Sequence, residues 1–163
     1  MAIPQFENVL KKAIMACLAG IPIFAELDAD QLNLISGRMH VQRLEAGDIV
    51  FNEGDPGNEV CFVVEGILDV LKLDNGRLEQ KIAVKAPGGS IGEMAVIGNF
   101  SRTATVRART DATLLTLSRD HFEQICQDHP VIGVRMLRAM ARLLSLHLRD
   151  TSQELLEHLS PRN

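Results

Sequence analysis

Apolar and polar positions alternate along this chain with two different periods, and the switches between them mark the predicted elements. From about Gln5 to Leu18 the apolar residues recur at helical spacing. Pro22 ends that helix or starts a turn. Asp28 has the short acceptor side chain that caps helix N-termini. It predicts a second helix, Ala29 to Ser36, with Leu32 and Ile35 on one face. From His40 onward the pattern becomes that of strands. Short β-branched and apolar runs occur at 49–51, 60–64, 67–73, 81–84, 104–108 and 113–117. Gly47, Gly54, Gly66 and Gly76 lie between them, and Asp74-Asn-Gly-Arg77 has the composition of a tight hairpin turn. Helical spacing returns at Ser118, with Asp120 near the start. His129-Pro130 interrupts it, and it resumes from Val131 to about Leu159. Val134, Leu137, Met140, Leu144, His147 and Leu148 can form an apolar stripe on that last helix, either core or dimer seam.

Many short strands with glycine turns imply a sandwich or barrel rather than a parallel α/β sheet. The order is helices, β-structure, long helix, with no internal repeat. At 163 residues and 46% apolar content the chain is large enough for one domain with its own core. Its net charge of −4 lacks the basic footprint of a nucleic-acid binder. The three cysteines, Cys17, Cys61 and Cys126, are odd in number and far apart, which fits a reduced, cytoplasmic setting. The run Ala13 to Ala19 follows Lys11 and Lys12, but it is short, and Gly20 and Pro22 break it. It reads as an amphipathic helix rather than a signal peptide. No apolar run reaches the roughly 20 residues that a membrane helix needs.

The candidate chemistry is concentrated in Ile91-Gly-Glu-Met-Ala-Val-Ile-Gly-Asn-Phe-Ser-Arg-Thr-Ala-Thr-Val106. A phosphodiester calls for a guanidinium and free backbone N–H groups, and a diol calls for a carboxylate acceptor. Arg102, the turn near Met94 to Ile97, and Glu93 can offer all three. No Ser/His/Asp or Cys/His set stands out, so no enzyme is expected. The histidines His40, His121, His129 and His158 form no close pair of the kind a metal site on a β-roll needs.

Gly92, Glu93, Met94, Ala95, the loop Val96 to Ser101, then Arg102, Thr103 and Ala104 resemble the phosphate-binding cassette of the cyclic-nucleotide-binding domain family. The resemblance continues in Ile21 to Leu27, in Glu45 to Asp55, and in Val60 to Gly66, and covers about residues 20 to 150. It implies a mainly β fold with flanking α: an antiparallel β-roll of jelly-roll type, with N-terminal helices, a short cassette helix and a long C-terminal helix. The expected organisation is one domain over 1–163, with helices in 1–38, the roll in 39–117 (cassette 91–106) and helices in 118–160.

The resemblance also assigns roles. Arg102 holds two phosphate oxygens with its planar fork, and Glu93 accepts the ribose 2′-hydroxyl. Thr103 donates to the phosphate or reaches the purine. Val70, Ile82, Ala83 and Ile91 line the apolar wall. The C-terminal helix forms a lid, and in many members it pairs with its twin. His147, with Leu144 beside it, is the candidate base contact. Leu143 stands where several members related to the bacterial catabolite activator protein carry an arginine, which leaves base recognition open.

The functional expectation is a sensor that binds a cyclic nucleotide reversibly, cAMP ahead of cGMP. It would signal through lid movement to a partner protein or within a homodimer. The alternative is a degenerate member acting as a ligand-free interaction or dimerisation scaffold, and an enzyme on a cupin-like roll is a distant third. No helix-turn-helix, kinase or channel segment follows the long helix before Asn163, so the expectation is a standalone sensor or a piece of a larger protein.

Overall fold

The structure, a computed structural model, describes residues 4–160. The expected span of 1–163 therefore runs past the described residues at both ends. Helix α1 (Pro4–Ala19) leads through a 3-10 turn at Pro22–Phe24 into α2 (Ala29–Ser36). Local chemistry sets the start of α2. The Asp28 carboxylate accepts the Gln31 N–H at 2.9 Å, and the Gln31 side chain accepts the Asp28 N–H at 3.1 Å. Each thus satisfies a backbone donor that the helix leaves free.

Eight strands follow: β1 (His40–Leu44), β2 (Ile49–Phe51), β3 (Glu59–Glu65), β4 (Leu68–Asp74), β5 (Leu78–Lys85), β6 (Ser90–Ile91), β7 (Thr105–Ala108) and β8 (Ala112–Ser118). The short helix α3 (Glu93–Ile97) lies between β6 and β7, and α4 (Arg119–Asp128) and α5 (Pro130–Leu159) complete the fold. The strands form two four-stranded sheets, ordered β1-β8-β3-β6 and β2-β7-β4-β5, with antiparallel pairing throughout. The two packed antiparallel sheets fit the sandwich or barrel that the strand and glycine pattern predicts, and the flanking helices make it the β-roll that the resemblance implies. Neither β1 nor β6 is among the predicted runs: β6 has only two residues and carries no period, and β1, at the start of the strand region, does not stand out as a run of its own.

The β4–β5 turn follows its sequence closely. Asn75 and Gly76 have φ of 46° and 73°, and the Arg77 N–H donates to the Asp74 C=O at 2.9 Å. Positive φ at both central residues matches the twist of the flanking strands.

The unbroken apolar runs of β3 and β8 have a structural reason. Both faces of their sheet are covered. Cys61, Val63, Ala112 and Leu114 point into the roll, with Leu68, Ile91, Val106 and Ala108. Val60, Phe62, Leu115 and Leu117 point the other way, onto a second core shared with Leu18, Phe24, Phe122, Ile125 and Met136. Alternate side chains of one strand thus build two cores.

On α5 the buried face is not the predicted stripe. Ile132, Met136 and Met140 are buried, with Ala139 and Leu143 packed beside them. Of the predicted stripe, only Met140 is buried. Val134, Leu137 and Leu148 are 52%, 39% and 69% exposed. Two apolar faces run along this helix, and periodicity alone does not say which one meets the core. The α4–α5 elbow is tight. A Cβ on Gly133 would lie 2.8 Å from Cys126 Sγ and 2.9 Å from its Cα, so a glycine is what allows this approach. Among the described residues, no helix is long and apolar enough to cross a membrane.

Candidate functional site

The site is built around the join of β6 and α3. Gly92 has φ 82° and ψ 20°, a left-handed conformation that turns the chain out of β6 and starts α3. Glu93 follows as the first helical residue and is buried, its carboxylate accepting the Ser90 hydroxyl. A buried carboxylate needs such a donor, and Ser90, itself buried, supplies it from three residues back. Ala95 and Val96 turn inward, whereas Met94 and Ile97 are 41% and 45% exposed. Gly98 ends the helix, its N–H donating to the Met94 C=O at 2.9 Å.

Arg102 comes back beneath this turn and is only 7% exposed. Its backbone is clamped by the β2–β3 loop: its N–H donates to the Asp55 C=O, and its C=O accepts the Gly54 N–H, both at 2.8 Å. Its guanidinium lies 3.9 Å over the Phe51 ring, and Nη1 donates to the Glu59 C=O at 3.0 Å. The ring face attracts the cation and gives it a flat support. Two glycines make room for it. A Cβ on Gly92 would collide with Nη1, and one on Gly57 would lie 3.1 Å from Nε. Nε itself is buried with no hydrogen-bond partner, the one such side-chain atom among the described residues. A buried charged donor without an acceptor is costly, and it marks the place where an acceptor belongs.

Thr103 is exposed and Ala104 is buried. The Thr103 C=O accepts Lys72 Nζ at 2.7 Å, and Lys72 also pairs with Glu53 at 3.2 Å. The Leu73 N–H and then Lys72 hold the Glu53 carboxyl below its usual range. Val70 and Ala83 face each other across β4 and β5, half-buried, and Val70 packs on the roll core with Ile91. Ile82 falls where the β4–β5 register shifts and is 56% exposed. Leu144 is half-buried and His147 exposed, on a helix that packs against α4 and the Pro22–Phe24 turn. Leu143 packs against the helical core.

The structure therefore brings Gly92, Glu93, Ala95 and Arg102 together around one turn. Sequence reasoning missed Ser90, Phe51, Gly57 and Glu59, which hold the two charged side chains. Of these only Ser90 is close to its partner in sequence. Among the described residues, no three His, Cys, Asp or Glu side chains converge as a metal site.

A family model described as "Cyclic nucleotide-binding domain" matches residues 41–129. A cAMP-dependent protein kinase regulatory subunit from Blastocladiella emersonii is 34% identical over 77% of this chain. The chain spans 31% of that relative's length. A cyclic nucleotide-binding domain from Methylobacillus flagellatus superposes with a TM-score of 0.82 at 23% identity, covering 95% of this chain and 87% of that one. The regulatory domain of Toxoplasma gondii PKA, crystallised with cAMP, superposes with a TM-score of 0.65 at 33% identity, covering 71% of this chain and 44% of that one. With the pattern matched over more than half of its length and carried by the turn just described, the chain belongs to the cyclic nucleotide-binding domain family.

Proposed function

We propose that this chain is a sensor module that binds a cyclic nucleotide reversibly and does no chemistry on it, with cAMP as the favoured ligand and cGMP as the second. The observation that carries the reading is Arg102: a buried guanidinium, propped on Phe51, with an orphaned Nε beside Gly57. A cyclic phosphate oxygen is an acceptor of the right charge for it. Glu93, whose carboxylate accepts the Ser90 hydroxyl, would accept the ribose 2′-hydroxyl in this reading. Met94, Ala95, Thr103 and Ala104 complete the wall of the turn, with Val70, Ile82, Ala83 and Ile91 as the apolar side. His147 and Leu144 would reach the base only after α5 closes.

The output surface in this reading is α5. Val134, Leu137, Ala141, Leu144, Leu148, Thr151 and Leu155 recur at alternating spacings of three and four, a heptad seam. Val134, Leu148 and Leu155 are more than half exposed along it. A second copy of the chain fits this seam, and ligand binding would act by shifting the population of lid positions. The partner is protein rather than nucleic acid, given the net charge of −4. The three cysteines are free, which suits a reducing cytoplasm.

Calorimetric titration with cAMP and cGMP tests the reading. Saturable binding is expected, and Arg102→Ala should weaken it by about 2–5 kcal/mol. Silence with both nucleotides, from protein shown to carry none from purification, would sink the sensor reading in favour of a ligand-free scaffold. Undiminished binding by Arg102→Ala would mean that the site lies elsewhere.

A further inference from the structure

Arg119 is the first residue of α4, and its guanidinium reaches back across the molecule to the cassette. Nε donates to the Ala95 C=O at 2.8 Å, and Nη2 donates to that same oxygen, to the Gly57 C=O at 2.7 Å and to the Gly98 C=O at 3.1 Å. Nη1 reaches Asn99 Oδ1 at 3.3 Å. The Arg119 N–H donates to the Asn58 C=O at 2.7 Å. One half-buried side chain therefore collects carbonyls at the C-terminal end of α3, the loop after it, and the β2–β3 loop.

The chemistry of this clamp is specific. Ala95 and Gly98 carry carbonyls that a five-residue helix leaves without intrahelical donors. A cation at that end complements the partial negative charge, and a planar fork can serve several oxygens at once where an ammonium serves them singly. Gly57, one of the clamped residues, is also the glycine against which Arg102 Nε lies, and its absent Cβ would come 2.7 Å from Ala95 Cβ. The clamp and the phosphate-facing arginine thus share one loop.

On its other side Arg119 is covalently part of α4, which meets α5 at the Gly133–Cys126 contact and through Ile125, Ile132 and Met136. Val96 of α3 also touches this core, but an apolar contact slides, while a four-acceptor fork holds register.

We propose that Arg119 is the positioning residue that couples the cassette to the α4–α5 pair, so that a change in one is transmitted to the other through its guanidinium. This rests on the reading of the cassette as the ligand site for its purpose, though not for its mechanics.

The test is a double-mutant cycle on the full chain, read by amide hydrogen exchange without ligand. Met140→Ala loosens α5 at a residue outside the cassette. With Arg119 present, it should speed exchange at the Ala95 and Gly98 amides by about fivefold or more. In the Arg119→Gln background it should leave those amides at the single-mutant rate. A purely structural role would make the two effects add. Equal acceleration by Met140→Ala with and without Arg119 overturns the proposal. If Arg119→Gln does not unfold cooperatively, Arg119→Lys, which keeps the charge but not the fork, runs the same cycle. A second arm adds cAMP. Saturation should protect α5 amides in the wild type and fail to do so in the variant at saturation, and full protection there also overturns the coupling. Absence of cAMP binding by the wild type overturns the ligand reading alone, since the ligand-free cycle still decides the coupling.

Discussion

Gly92→Ala places a methyl group where the fold leaves none. The φ of 82° puts this residue in the left-handed region, which costs a side-chain-bearing residue about 1–2 kcal/mol. The new Cβ would also run into Arg102 Nη1 and stop 3.0 Å from the Glu59 carbonyl oxygen. Nη1 is the free end of a long side chain, so it swings away, whereas the strand carbonyl is held. The swing breaks the Arg102–Glu59 hydrogen bond, worth about 1.5–3 kcal/mol for a charged donor. The expected destabilisation is therefore about 2.5–5 kcal/mol. Gly76→Ala is the matched control. Its φ is 73°, and nothing lies within 4 Å of its Cβ position, so it should lose only the strain of about 1–2 kcal/mol. Urea unfolding of the wild type and both variants measures the difference as a shift in midpoint at constant m. Titration with cAMP should then show weakened binding for Gly92→Ala and wild-type binding for Gly76→Ala. Equal midpoints for the two variants, or unchanged cAMP affinity in Gly92→Ala, would refute the claim that this glycine is kept for Arg102.

Met136 is fully buried where α5 meets the helical core, so Met136→Ala should cost about 2–5 kcal/mol in the same urea experiment. Leu148 is 69% exposed, so Leu148→Ser should stay within about 0.5 kcal/mol in monomer stability while shifting sedimentation equilibrium toward monomer. Unchanged self-association would remove the seam as the dimer contact. Burial pushes the Cys61 thiol up from its ordinary value of 9.0 to about 12. Between those pH values the unfolded chain ionises this thiol and the folded chain does not, so stability falls as pH rises above about 9. Unfolding at pH 8 and pH 10 should show that loss in the wild type, and Cys61→Val should lose correspondingly less. Equal losses in the two proteins would contradict it.

Local interactions were legible in the sequence because their partners are close along the chain. Asp28 marked the start of α2 by its capping side chain alone, and the partner it caps with, Gln31, is only three residues on. The Asp74–Arg77 turn needs only two positive φ values at a residue pair that tolerates them. The cassette was legible for a related reason. Gly92, Glu93, Arg102 and Thr103 fall within a dozen residues, so one continuous segment carries their pattern.

The tertiary structure decided whatever depends on distant partners. Both faces of α5 are apolar enough to pack, and only the position of the Pro22–Phe24 turn and α4 selects Ile132, Met136 and Met140 over Val134, Leu137 and Leu148. The hydrophobic effect is non-directional, so composition cannot choose between them. The setting of Arg102 depends on Phe51 and Glu59, and that of Arg119 on Gly57, 62 residues away. Hydrogen bonds are directional and short, and no spacing rule announces which carbonyl a remote guanidinium will meet. The sequence by itself determined most of the elements and the identity of the charged groups. The fold alone determined which of those charges were buried, what holds them, and which donor was left without an acceptor.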